Sequence, residues 1–180
     1  MALSEEIPVS PAVEARLRRG EVVVETEPIP GERFSKIRVL ATIEAPPERV
    51  WAVIDDSDNY DRVLPRVKRS VEVSREGDVV HTRQTIEMPF PLKDLTSLTR
   101  AVHTVEPGKR YRREWQLVEG DYKRNAGSWT VVPLADDDQR TLVRYELDVV
   151  PKIRIPQRVQ HAAQERAMPR LIEAIRRHVR

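Results

Sequence analysis

Residues 41–73 read ATIEAPPERVWAVIDDSDNYDRVLPRVKRSVEV, and the polarity pattern of the stretch changes at its prolines. The approach to it, Lys36 to Glu44, sets Ile37, Val39, Ala41 and Ile43 against Arg38, Thr42 and Glu44. That alternation predicts a strand with one wet face, although Leu40 interrupts it. Pro46 and Pro47 stop the strand and preset the dihedrals of a helix start, after which Val50, Trp51, Val53 and Ile54 form a short apolar stripe. Asp55 to Asp58 breaks this helix. Ser57 or Asp58 is expected to cap a second short helix through Val63 and Leu64, which Pro65 closes.

Downstream, from Val67 to Val150, turn signals recur at near-regular spacing: Glu76-Gly77-Asp78, Pro89 to Leu92, Pro107-Gly108, Gly120 to Asn125, and Ala135 to Gln139. They leave six strands of an antiparallel meander. In the last, Thr141, Val143, Tyr145, Leu147 and Val149 alternate with Leu142, Arg144, Glu146 and Asp148, so one sheet face needs a cover. A helix over 156–180 supplies it, with Val159, Ala162, Ala163, Ala167, Leu171, Ile172, Ile175 and Val179 in a stripe at helical spacing. Pro169 lies inside that helix and removes the backbone hydrogen bond to the Glu165 carbonyl, which predicts a kink or break. Upstream, Pro11 to Arg19 reads as a short helix ended by Gly20, and GEVVVETE as an edge strand broken by Pro28, Pro30 and Gly31. The expected architecture is α+β, a curved antiparallel sheet of about seven strands around a long C-terminal helix, with residues 1–35 as an N-terminal extension and 36–180 as one domain.

Composition narrows the function classes. At 180 residues, 39% hydrophobic and 33% charged, the chain is long enough for one core and an internal cavity. Thirty-one basic residues against 29 acidic ones leave a net charge of +2, too small to imply a nucleic-acid partner. The absence of cysteine excludes disulfides, thiolate nucleophiles and Cys-ligated metals. Residues 1–10 carry Glu5 and Glu6 and no long apolar run, and no stretch approaches the roughly 18 apolar residues of a spanning helix. A cytoplasmic location is the expectation.

The phrase at 41–73 resembles the opening of the START-like (SRPBCC, helix-grip) superfamily, which includes the polyketide cyclase/dehydrase and coenzyme-Q-binding families. GSWTVVP at 127–133 and TLVRYELDVVPKIRIP at 141–156 are similar to the last two strands of that superfamily and their lead into the C-terminal helix, and MPFPLKDL at 88–95 to its Pro-Phe-Pro-Leu turn. Leu95 follows Asp94 where the family often has arginine, so no role passes to that position. The resemblance covers 36–180 and implies an incomplete barrel gripping the last helix, with a cavity for an apolar ligand: a lipid, quinone or polyketide-like molecule. Carriers and enzymes share this fold, which alone does not select between them.

Catalytic signatures are scarce. There is no Gly-rich phosphate loop, Gly-x-Ser-x-Gly or His-Glu-x-x-His, and His81, His103, His161 and His178 are far apart in sequence, so neither metal nor cofactor is expected. His81 and His103 read as partly exposed histidines on the wet sheet face, and Asp55, Asp56 and Asp58 as capping residues rather than a calcium loop. The candidate ligand-binding set is Tyr111, Arg113, Trp115, Trp129, Tyr145 and Leu147, which strand alternation places on one concave face; core filling is the competing reading for Trp129, as for Trp51. Arg113, and Arg100 between Leu98 and Val102, face the cavity in this register and would favour a ligand with a carboxylate, phosphate or polar ketone, whereas a one-residue slip turns both outward. The arginines of the last helix, Arg158, Arg166, Arg170, Arg176, Arg177 and Arg180, read as a solvated face rather than a membrane-contacting one. The functional expectation is a non-enzymatic binder or carrier. Its rivals are an aromatase/cyclase-type enzyme that polarises a carbonyl with a cavity Arg, Tyr or His, and an interaction domain with a collapsed cavity. Ligand identity and oligomeric state are not encoded in any motif of the chain.

Overall fold

Alternating strands and proline-bounded helices assemble as expected in the computed structural model, which describes residues 2–180. The helices are α1 (Pro11–Arg18), α2 (Pro47–Asp55), α3 (Tyr60–Val63), α4 (Gln157–Ala162) and α5 (Met168–His178), and a 3₁₀ turn at Ser57–Asn59 joins α2 to α3. The strands are β1 (Val23–Pro28), β2 (Ser35–Ile43), β3 (Val67–Glu76), β4 (Val79–Ile86), β5 (Leu95–Glu106), β6 (Arg110–Gly120), β7 (Tyr122–Leu134) and β8 (Asp137–Pro151). They form one antiparallel sheet in the order β1-β2-β8-β7-β6-β5-β4-β3. The sheet therefore has eight strands rather than about seven, because β1 pairs along β2 from Val23 opposite Leu40 to Pro28 opposite Ser35. Among the described residues no helix is long and apolar enough to cross a membrane.

Two cores lie on opposite sides of this sheet. On the helix side Val39, Ala41, Ile43, Val131 and Val143 pack with Val50 and Ile54 of α2 and with Leu171, Ile172 and Ile175 of α5. On the outer side Leu3, Ile7 and Leu17 pack over Val23, Leu40, Val132, Leu134 and Leu142 of the sheet. Leu40, which breaks the alternation of β2, is thus buried from the other face: Val39 to Ile43 are all buried because the N-terminal segment closes the side that would otherwise be wet.

The last helix is interrupted. α4 passes through a π-helical turn at Ala163–Ala167 into α5, whose first turn contains Pro169. Proline cannot return a hydrogen bond to the Glu165 carbonyl, and the wider i→i+5 turn carries the chain past that missing donor. The expected break near Pro169 takes this form, in the segment that spans the concave side of the sheet.

Candidate ligand-binding cavity

Strand register determines which side chains share a row on the concave face. His103 of β5 stands opposite Arg113 of β6, Arg113 opposite Trp129 of β7, and Trp129 opposite Tyr145 of β8. The next row along the strands is Ala101, Trp115, Gly127 and Leu147. Over these rows lies a cavity of about 760 Å³, closed on the other side by Ala163, Ala167, Met168 and Leu171. Small-molecule sites span roughly 300–1,000 Å³.

Arg113, Trp115, Trp129, Tyr145 and Leu147 line this space, and Tyr111 does not. Tyr111 sits one pleat deeper, opposite Val131, under α2. Its ring is 5.8 Å from that of Trp51, and its hydroxyl donates to Glu48 Oε1 at 3.0 Å while accepting from the Gly108 amide. The expectation grouped it with the others because alternation reports the face and not the depth at which the helices meet the sheet.

Tyr145 joins the two tryptophans into one aromatic wall, 4.4 Å from the Trp129 ring and 6.0 Å from that of Trp115. Gly127 makes room for it: a Cβ there would lie 2.4 Å from Trp115 Cζ2. Asn125 Oδ1 accepts the Trp115 indole N–H at 3.1 Å. Burial pushes the Tyr145 hydroxyl above the usual phenol range, so it stays neutral.

Arg113 is only 3% exposed, yet no carboxylate touches it. Nη1 donates to His103 Nε2 at 3.1 Å, Nη2 donates to Thr82 Oγ1 at 3.3 Å, and the guanidinium lies 5.6 Å above the Tyr60 ring. Since arginine only donates, Nε2 of His103 is the bare nitrogen and Nδ1 carries the proton, 3.3 Å from Asp55 Oδ1. Burial first, and then the Arg113 charge, push His103 down to about 4 against the opposing pull of Asp55. Asp55 is also bound by Arg75, which bridges to Glu72; burial of Tyr60 raises its phenol, which donates to the Ile54 carbonyl.

Several expectations change here. Arg113 and Arg100 do not turn together: Arg100 pairs with His81 and Gln116 on the outer face and is exposed, as is Val102. His103 is buried on the inner face while His81 points out toward Ser74. The inner positions of β5 are Leu95, Ser97, Thr99, Ala101 and His103, so the more hydrophobic alternation, through Leu98 and Val102, belonged to the wrong face. The usable signal was the loop Pro107 to Lys109, which brings Glu106 opposite Arg110 and hence His103 opposite Arg113. Ser57 and Asp58 do not cap through their side chains: Ser57 Oγ bonds Glu72 and Thr82, and Asp58 accepts the Glu72 amide, tying the α2–α3 junction to β3 and β4.

Among the described residues lining the cavity there is no aspartate, glutamate, histidine or lysine, whereas five are arginines: Arg66, Arg113, Arg158, Arg166 and Arg170. A family model described as polyketide cyclase / dehydrase and lipid transport matches residues 43–176. The chain belongs to this family. The family fold recurs in solved structures. A STAR-related lipid transfer protein from Xanthomonas axonopodis is 17% identical, with 88% of this chain and 93% of that one covered at a TM-score of 0.76. A START superfamily protein from Mycobacterium smegmatis is 21% identical over 80% and 96% of the two chains, at 0.65. The Zhui aromatase/cyclase from Streptomyces sp. R1128 is 15% identical over 80% and 85%, at 0.51. At such identities these likenesses establish the fold and nothing finer. No curated protein matches the chain.

Proposed function

We propose that this chain is a non-enzymatic binder or carrier of one apolar small molecule, a lipid, quinone or polyketide-like compound, held between the sheet and the C-terminal helix. Trp115, Trp129, Tyr145 and Leu147 would pack its apolar body, and Arg113 would meet its polar end. The observation that carries this reading is the lining itself: about 760 Å³ of mainly aliphatic and aromatic wall with no carboxylate or imidazole among its described residues. A cyclase needs a group that takes and returns protons near neutral pH. Here burial pushes the phenols of Tyr60, Tyr122 and Tyr145 upward, and His103, pushed downward, stands behind Arg113. The volume also favours a filled cavity over a collapsed one.

Mass spectrometry of small molecules extracted from natively purified protein should find an apolar compound near one per chain. Titration with the neutral fluorophore N-phenyl-1-naphthylamine should show one saturable site that the extracted compound empties. Absence of a saturable site would sink the binder reading, and conversion of the extracted compound by the protein would replace it with the enzyme reading.

A further inference from the structure

Among the described residues the charged side chains lining the cavity are all cationic. Four of its arginines, Arg66, Arg158, Arg166 and Arg170, are at least partly exposed, and only Arg113 is buried. A buried guanidinium is ordinarily met by a carboxylate, because an unpaired charge removed from water is strongly destabilising. Arg113 instead meets neutral acceptors within the wall, His103 Nε2 and Thr82 Oγ1. The carboxylates behind this layer approach it only through intermediaries, Asp55 through His103 and Glu72 through Ser57, and Arg75 bonds both of them. Of the five N–H groups of a guanidinium, two are used in this way, and among the described residues the others have no protein acceptor.

The inner wall beside Arg113 is built for contact. Ser97 and Thr99 of β5 and Gln84 of β4 continue it as polar side chains lining the same cavity as Trp115, Trp129 and Tyr145. A molecule lying along the aromatic side brings its edge to the guanidinium, where a charge-assisted hydrogen bond forms out of water.

We propose that His103 is a positioning residue that aims Arg113 into the cavity through a neutral acceptor, so that the cavity selects an apolar molecule bearing an anionic oxygen over its neutral counterpart. This rests on the binder reading above. Were position 103 a carboxylate, the guanidinium would be neutralised inside the wall and the ligand would gain little by carrying charge. The Asp55 carboxylate, 3.3 Å from Nδ1, favours the tautomer with the proton on that nitrogen, which leaves Nε2 to accept from Arg113.

Two fluorophores that share one apolar body test this: N-phenyl-1-naphthylamine, which is neutral, and 1-anilinonaphthalene-8-sulfonate, which is anionic. The unaltered protein should bind the anion at least about tenfold more tightly, the range of a hydrogen bond to a charged group. Arg113→Gln and His103→Glu should abolish that preference, bringing the two affinities to within about twofold of each other. His103→Gln, which keeps a neutral acceptor, should retain it, a rescue that a purely structural histidine would not show. If His103→Glu does not fold, the pair Arg113→Gln and His103→Gln decides alone. Equal affinity for the two probes, or a preference that survives Arg113→Gln and disappears in Arg166→Gln at the rim, overturns the proposal and leaves the binder reading standing. Failure of the unaltered protein to bind either probe overturns both.

Discussion

Trp115 is held on three sides: its indole N–H donates to Asn125, its ring neighbours Tyr145, and the bare backbone of Gly127 lies beneath it. Its fourth side is open to the cavity, and it is only partly buried. Replacing Trp115 with Leu should therefore weaken binding of the neutral naphthylamine probe by about tenfold, the effect of losing apolar contact of order 1–2 kcal/mol. The unfolding midpoint should move little by comparison. If affinity holds and only the midpoint falls, Trp115 is a core residue and the wall is wrongly assigned. Which aromatics line the cavity was partly legible: alternation placed Trp115, Trp129 and Tyr145 on one face. Their separation from Tyr111 was not, because one pleat of depth along the same face leaves no mark in the polarity pattern.

At the scale of elements, the last helix carries the clearest agreement and one surprise. Leu171, Ile172 and Ile175 are buried against the sheet, as their spacing required. Leu171→Ala should lower stability by about 2–5 kcal/mol, the range for truncating a buried leucine. The lower half is expected, because Leu171 borders the cavity. A loss below about 0.5 kcal/mol in denaturant unfolding, the size of an ordinary surface change, would contradict the packing of this helix. Pro169 announced an interruption, but its form, a π-helical turn over 163–167, came from how the backbone accommodates the missing donor. Ala163 and Ala167 of that turn face the cavity, so we expect it to admit the ligand. Pro169→Ala restores the donor and should slow association of the naphthylamine probe in stopped-flow mixing. An unchanged rate would remove the gating role while leaving the turn itself in place.

At the scale of the whole molecule, the network behind the cavity makes stability depend on pH. His103 takes up a proton at about 6.5 when free and at about 4 in the folded protein. Between these values the unfolded chain holds more protons, so the stability associated with the neutral imidazole is fully present above about pH 6.5 and is lost as pH falls toward 4. Glu72, held low by Arg75, adds a loss of the same sign below its ordinary value of 4.5. Denaturant unfolding at pH 7 and pH 5 should thus show a drop in the unaltered protein that His103→Gln largely removes; an equal drop in both would place the titrating group elsewhere. The sequence alone determined the element order, the concave face of the last strands, the covering helix and its break, because periodicity and proline act within a few residues of themselves. Only the tertiary structure decided that Leu40 is buried by the N-terminal segment, that His103 turns in while Arg100 turns out, and that Arg113 lacks a carboxylate partner. Each of those depends on which strands become neighbours and at what register, and a shift of one residue in that register exchanges the two faces of a strand without altering its sequence.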